Sequence, residues 1–215
     1  MGNRLYYTKV FFLQYRVYVV LGLLLFSLGF GAAVFLQRHR PPMTEEEYVE
    51  ALKTGSELFD ARRYAEAYEY LVYPAQQGYP KARLLLGQMY YNGWGTDRDA
   101  KLAFENFKSA SEALPEAGYM VAKMTFRGEA KGMPKGQATK LLTQAAYGGN
   151  ADAQADLGVY SFLSDDAEPA YFWLSLAARG GNGKAQEVLP KAAEKVSSYQ
   201  RSLLDAEIEG FVPRK

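Results

Sequence analysis

The sequence contains no cysteine and a single histidine, His39. Disulfide bridges and thiolate metal sites are therefore excluded, and beyond His39 the chain lacks the imidazole that catalytic triads and the common zinc sites require. Because His39 stands between Arg38 and Arg40, we interpret it as part of an anchor at the level of lipid headgroups. We predict no catalytic residue, no metal site and no cofactor.

A strong net charge is also missing, since 25 Lys and Arg residues nearly balance 24 Asp and Glu residues. Residues 1–40 hold five of the basic residues and no acidic one, which leaves residues 41–215 with 20 basic against 24 acidic residues. A nucleic-acid groove needs a basic stripe that displaces counterions from phosphates. We therefore predict no nucleic-acid partner, and no small-molecule substrate is evident.

Residues 17–36 form a run of twenty residues without a charge. This length crosses a hydrocarbon core about 30 Å thick. The alternative is a cleaved signal peptide, but the apolar part of such a peptide is only about 7–15 residues long and precedes a small-x-small cleavage site. We predict an N-terminal flank over residues 1–16, an uncleaved transmembrane helix over 17–36 that contacts the lipid bilayer, and a linker over 37–43.

Small residues lie on one side of this predicted helix, where another helix could approach closely. They are Ser27, Gly29, Gly31 and Ala33. The alternative is the ordinary glycine content of a membrane helix. The basic residues before the run slightly outnumber those after it, which favours a cytoplasmic N-terminus.

A motif of the form Ala-x3-Leu-Gly-x2-Tyr-x2-Gly begins at Ala82 and recurs in weaker form at Ala117 and Ala153. A second motif, Ala-x3-Leu/Phe-x2-Ala, follows each copy, and its spacing puts the three side chains on one face of a helix. The central residues of the second motif are Leu71, Phe107, Leu142 and Leu174. Their separations of 36, 35 and 32 residues are typical of helix–turn–helix solenoids.

These motifs resemble the SEL-one-like repeat family, relatives of the tetratricopeptide repeat, over roughly residues 48–211. The resemblance implies an all-α chain in which an α-solenoid of helix–turn–helix repeats, residues 44–215, follows the transmembrane helix. One repeat departs from the family pattern with Ala122 and Thr125 in place of Gly and Tyr, and should pack less regularly. Ser197 and Gln200 have the spacing of a capping box and predict a terminal capping helix.

Two further motifs suggest chemistry but have simpler interpretations. The run 180–184 resembles a phosphate loop, yet Ala178 and Ala185 replace the glycine and the Ser or Thr that such a loop requires. It also falls between repeats, which favours a turn. The acidic run 165–168 begins a helix, where acids interact favourably with the helix dipole.

Stacked repeats expose an extended concave surface, and the resemblance implies that one side of each first helix lines it. The corresponding residues are Leu84, Gln88, Tyr91, Tyr119, Lys123, Phe126, Ala155, Val159 and Phe162. The last residue from each helix is aromatic. We predict that this side contacts protein partners, with further core packing as the alternative.

Three functional hypotheses remain open at this point. The first is a non-enzymatic scaffold or adaptor of an envelope complex, anchored in a bacterial inner membrane with its repeats in the periplasm, a setting that rests on the family resemblance. The second is a cytoplasm-facing assembly or regulatory factor of a membrane machine. The third is an enzyme of unknown type whose carboxylates converge from distant repeats.

Overall fold

The computed structural model of the protein describes residues 44–130 and 132–214, all of whose regular secondary structure is helical. Residues from Glu47 onward belong to one compact unit. The ten described helices are α1 Glu45–Asp60, α2 Tyr64–Gln76, α3 Pro80–Asn92, α4 Ala100–Ala110, α5 Pro115–Phe126, α6 Lys135–Tyr147, α7 Ala151–Leu163, α8 Ala167–Arg179, α9 Gly183–Glu194 and α10 Ser198–Glu209. The prediction of an all-α repeat array is confirmed for this part of the chain.

Consecutive helices pair into repeats: α1 with α2, α3 with α4, α5 with α6, and α7 with α8. Each second helix then packs against the first helix of the next repeat. The buried side chains form successive clusters along the stack, so each repeat depends on its neighbours for part of its core.

Glycine in the first helix allows the second helix to approach closely. A Cβ atom on Gly87 would lie 2.6 Å from Cε1 of Phe107, and one on Gly158 would lie 2.7 Å from Cγ of Leu174. Phe107 and Leu174 are both fully buried. The repeat that has Ala122 at this position has an only partly buried Leu142 in the corresponding place, in agreement with the looser packing that the sequence predicts.

A residue with left-handed backbone follows the end of each first helix in the four paired repeats. These residues are Arg62 (φ 59°), Gly93 (φ 73°), Gly128 (φ 71°) and Asp165 (φ 60°). Glycine adopts this conformation at little cost, whereas other residues are strained in it. The left-handed residue stops the helix in each repeat and lets the chain turn towards the second helix.

The segment after α3 closes over the first repeat. The Trp94 ring stacks on Tyr64 at a centroid distance of 4.9 Å and meets the edge of Phe59 at 6.0 Å. A Cβ atom on Gly95 would lie only 2.5 Å from the backbone nitrogen of Ala65. Trp94 therefore covers the edge of the seam between α1 and α2, as we expect from the sequence.

Helix α9 begins in the same way as α7, because Asn150 and Asn182 accept hydrogen bonds from the backbone N–H groups of Ala153 and Ala185. It is the first helix of a further repeat that the motif search missed. At the start of α10, the side chains and backbone N–H groups of Ser197 and Gln200 form the predicted capping box. Helix α10 packs on α8 and ends the described array.

Candidate interaction surface

The residues predicted to line the groove occupy recurring positions on α3, α5 and α7, but they differ in exposure. Leu84 and Tyr119 retain only 2% and 7% of their accessible surface, and Ala155 retains 1%. Leu84 and Ala155 join the clusters formed with α4 and α8. These three side chains pack within the stack and offer a partner almost no surface.

One helical turn further on, the predicted residues are half-buried and already in contact with neighbours. Gln88 donates from Nε2 to Oε1 of Glu116 at 3.0 Å, which joins α3 to α5. The ammonium group of Lys123 lies 5.4 Å from the centre of the Tyr119 ring. Val159 packs against the core cluster of the fourth repeat. This line combines polar and apolar groups at the boundary between core and solvent.

The aromatic row, defined as Tyr91, Phe126 and Phe162, lies at the C-terminal ends of the three first helices. Tyr91 meets the buried Phe107 ring edge-on at 6.5 Å, and Phe162 packs against the cluster around Leu174. Phe126 is 45% exposed. Each member therefore presents part of a ring to solvent, and Phe126 is an exposed large aromatic residue.

Cations from other segments cover two members of the aromatic row. Arg127 donates from Nη1 to the Tyr91 hydroxyl at 3.2 Å, and the Arg98 guanidinium lies 5.9 Å from the centre of the same ring. The Lys195 ammonium group lies 4.9 Å from the centre of Phe162. A cation placed over an aromatic face is attracted by the ring quadrupole, so these contacts stabilise the row.

A polar ladder joins three successive first helices beside the row. The Tyr119 hydroxyl donates to Oδ2 of Asp156 at 3.2 Å, and Nζ of Lys184 lies 3.2 Å from Oδ1 of the same carboxylate. Burial of Tyr119, followed by the nearby Asp156 charge, raises the pKa of the tyrosine hydroxyl. The hydroxyl therefore stays protonated, and the ladder fixes the spacing of α5, α7 and α9.

Comparison with solved structures identifies the repeat type. A Sel1 repeat protein from Oxalobacter formigenes is 26% identical, with a TM-score of 0.59 over 65% of this chain and 57% of that chain. The chain has the Sel1-repeat fold. A protective antigen of uropathogenic Escherichia coli that displays an SLR fold shares the architecture at 19% identity, with a TM-score of 0.51 over 75% of this chain and 45% of that chain.

A curated relative, DAP3-binding cell death enhancer 1 from Rattus norvegicus, is 31% identical over 159 residues. The match covers 71% of this chain but only 31% of that protein, so the chain spans about a third of its relative's length. No family model matches the sequence. The SEL-one-like resemblance of the motifs thus agrees with the fold of the solved structures.

The two motifs that suggested chemistry have structural roles in the Sel1-repeat fold. The run 180–184 forms a turn between repeats, where the Asn182 side chain caps α9. Lys195 forms a hydrogen-bonded ion pair with Asp165, which lowers the pKa of that carboxyl group, and Gln200 donates to Glu168. Within residues 44–130 and 132–214, no cluster of histidine, cysteine and acidic side chains could hold a metal ion.

The predicted membrane helix, residues 17–36, lies outside the described residues, together with the proposed helix-packing positions Ser27, Gly29, Gly31 and Ala33. None of the helices in the described part of the chain combines the length and apolar character that crossing a bilayer requires.

A cavity of about 700 Å³ lies where the turn between α4 and α5 meets α6. Its walls include Pro115, Gly118 and Leu141, with Lys140 and Arg214 as basic members. Arg214 is held by its backbone N–H, which donates to the Tyr147 carbonyl at 2.9 Å, and by its guanidinium, 4.5 Å from the centre of the Tyr147 ring. The cavity is lined by the N-terminal part of α5 and by α6, whereas the aromatic row lies at the C-terminal ends of the first helices.

The contacts between repeats explain which functional groups the motif analysis missed. Arg127 and Lys195 contact aromatic residues that lie more than thirty residues earlier in the chain. The position that they share, ten residues after the motif alanine of their repeat, is the sequence signal that points to them. Its value becomes clear only when the helices are superposed by repeat.

Proposed function

We propose that the protein is a non-enzymatic scaffold or adaptor that binds a protein partner through the aromatic row and the half-buried residues beside it. The observation that carries this proposal is the recurrence of a partly exposed ring at the same position of three stacked first helices. Aromatic residues are enriched among the side chains that dominate protein interfaces. Sel1-repeat folds are generally scaffolds for protein–protein interaction, which supports the same proposal.

The relative from Rattus norvegicus is named for binding another protein, which also favours a binding role. On this proposal, Gln88, Lys123 and Val159 form the edge of the contact, while Leu84 and Tyr119 support it from the core. The repeats would hold the partner beside a bacterial inner membrane, with residues 17–36 as the anchor in the bilayer and the repeat domain in the periplasm.

Site-specific photocrosslinking tests the surface. We expect benzoylphenylalanine at Phe126 to crosslink a protein partner in cells, because that ring is 45% exposed in the row. The same group at Leu102, 37% exposed on the second helix α4, is the matched control. Equal crosslinking of the same partner from both positions would contradict the proposed surface.

Alanine substitutions at Tyr91, Phe126 and Phe162 separate binding from stability. A residue at a binding hot spot contributes about 2 kcal/mol or more to affinity, whereas a Phe→Ala change in a packed core costs about 3–5 kcal/mol of stability. We expect Phe126→Ala to weaken partner binding with little change in melting temperature. If all three variants instead lose several kcal/mol of stability, the rings are core residues and the binding surface lies elsewhere.

The location of the repeats has an independent test. A reporter enzyme that is active only in the periplasm, fused after residue 215, should be active if the N-terminus is cytoplasmic. Activity of a cytoplasm-specific reporter at the same position would instead support the second hypothesis, a cytoplasm-facing assembly or regulatory factor. Terminal sequencing of the membrane-extracted protein tests whether the anchor is retained.

A further inference from the structure

The aromatic row contains one ring that differs from the other two. The Tyr91 ring has the Arg98 guanidinium over its face and Arg127 bonded to its hydroxyl, and the Phe162 ring has the Lys195 ammonium group over its face. Among the described residues, no lysine or arginine lies over the ring of Phe126. Within residues 44–130 and 132–214, the middle of the row therefore lacks the cation that lies over the rings at its two ends.

The repeat register explains this difference. Arg127, Lys195 and Leu163 each stand ten residues after the alanine that begins the repeated motif in their helix. At the ends of α5 and α9 this position supplies a cation that reaches back to the aromatic residue of the preceding repeat: Arg127 bonds to the Tyr91 hydroxyl, and Lys195 lies over the Phe162 ring. In α7 the same position holds an uncharged side chain, which is 78% exposed. A cation thus contacts the aromatic residue of the preceding repeat from this position in two repeats, and Leu163 replaces that cation in α7.

A second recurring position is also exceptional in α7. Met89 and Met124, seven residues after the motif alanines of α3 and α5, are fully buried against the preceding repeat, whereas the corresponding Tyr160 is 71% exposed. Tyr160 and Leu163 are three residues apart and are neighbours on the helix surface. We call Phe126, Tyr160 and Leu163 the uncovered patch.

The charges around the uncovered patch favour a cationic partner. Asp165 and Asp166 follow Ser164 at the end of α7 and are exposed. Asp165 is already paired with Lys195, whereas the Asp166 side chain does not cap α8. Among the described residues, Lys123 lies over Tyr119 and Arg127 bonds to the Tyr91 hydroxyl. An incoming guanidinium would therefore find the exposed part of the Phe126 ring together with the Asp166 carboxylate at the start of α8.

We propose that the uncovered patch binds an arginine side chain of a partner polypeptide over the Phe126 ring, with an adjacent apolar side chain of the same segment on Tyr160 and Leu163. This inference rests on the proposed function and specifies the chemistry of the partner. The partner's arginine takes the place over the ring that Arg98 takes at Tyr91 and Lys195 takes at Phe162. Arginine suits the site because its planar group stacks on aromatic faces and pairs with carboxylates.

Selection from a random dodecapeptide library displayed on phage tests the proposal. The target is the full-length chain, purified and immobilised in a mild non-ionic detergent. We expect the enriched peptides to share an arginine next to an apolar residue. Replacing that arginine by citrulline, which has nearly the same shape but no charge, should weaken binding of a synthetic labelled peptide about 3- to 30-fold in fluorescence anisotropy.

Variants of the chain locate the binding site. Leu163→Arg introduces the cation that Arg127 and Lys195 provide at this position, and it should lower the affinity of the selected peptide at least tenfold. Leu102→Arg adds the same charge on α4 and should leave the affinity unchanged, which controls for general repulsion. Phe126→Leu keeps an apolar side chain but removes the ring, and should reproduce the effect of citrulline. Circular dichroism checks that each variant is folded.

Two results would overturn the inference. Arginine-containing peptides that bind Leu163→Arg as tightly as the natural chain would have their site elsewhere. Selected peptides that contain no cation but lose binding on Phe126→Leu would refute the arginine contact while leaving the proposed protein-binding row intact. Failure of the row itself is recognised separately, because the protein partner would then crosslink equally from positions 126 and 102.

Discussion

Two buried helical glycines provide a test of the packing between first and second helices. A Cβ atom on Gly87 would lie 2.6 and 2.7 Å from Cε1 and Cδ1 of Phe107, whose ring is fully buried and cannot move into solvent. On Gly118, the nearest atoms to a Cβ lie 3.8 Å away, which is ordinary van der Waals contact. Replacing glycine by alanine therefore creates a steric clash at position 87 but only ordinary contacts at position 118.

The magnitudes follow from two opposing effects. Alanine is favoured over glycine in a helix by about 1 kcal/mol, and this gain applies at both positions. Overpacking of a close-packed core costs about 1–3 kcal/mol, and this cost applies only to Gly87→Ala. We expect Gly118→Ala to raise the free energy of unfolding by about 0.5–1 kcal/mol and Gly87→Ala to lower it by up to about 2 kcal/mol.

Urea unfolding of the full chain in mild detergent, followed by circular dichroism at the helix band, measures both changes. The difference between the two variants isolates the overpacking cost, because helix propensity cancels. Phe107→Leu in the Gly87→Ala background should recover part of the loss by removing ring atoms from the contact. If Gly87→Ala were as stabilising as Gly118→Ala, the close approach of α3 and α4 would be refuted.

Two other pairs of variants test the turns and the core. Gly95→Ala and Gly128→Ala place alanine at nearly equal positive φ values of 70° and 71°, where left-handed backbone costs about 1–2 kcal/mol. Gly95→Ala should cost about 1–3 kcal/mol more in urea unfolding, because its Cβ would meet the backbone of Ala65; equal losses would argue against that contact. Ala103→Trp, at a fully buried position, should lower the melting temperature. The control Lys101→Trp, at an exposed position of the same helix, should not. An unchanged melting temperature for Ala103→Trp would show that the repeat register is wrong.

The repeat architecture is predictable from the sequence because small and large apolar residues must alternate where two helices touch. Gly87 opposite Phe107 leaves a motif that can be recognised without a structure. Helix α9 escaped the search because Leu189, four residues after Ala185, is followed by Pro190 where α3 and α7 have glycine. We recognise α9 as a first helix like α7 because an asparagine side chain caps the N-terminus of each. These capping hydrogen bonds are seen only in the structure.

The candidate surface is less predictable because side chains on one helix face serve different neighbours. Leu84 and Tyr119 lie on the same helix face as more exposed residues further along their helices, yet both are buried between repeats. Whether the hydroxyl of Tyr91 has a hydrogen-bond partner depends on Arg127, which belongs to the next repeat. These pairings follow from how one repeat is placed on another, and periodicity within a single helix does not contain that information.

In the four paired repeats, the left-handed residue after the first helix allows the length of the following connection to vary without changing how the repeats pack. The connections are short at residues 61–63 and 164–166 and longer at 93–99 and 127–134, although the helix pairs on both sides remain stacked. The connections 93–99, 127–134 and 164–166 each start within two residues of a member of the aromatic row. Insertions and deletions at these points would reshape the border of the proposed binding surface without disturbing the core, so that a repeat array of this kind can change the partner it would bind while its packing stays the same.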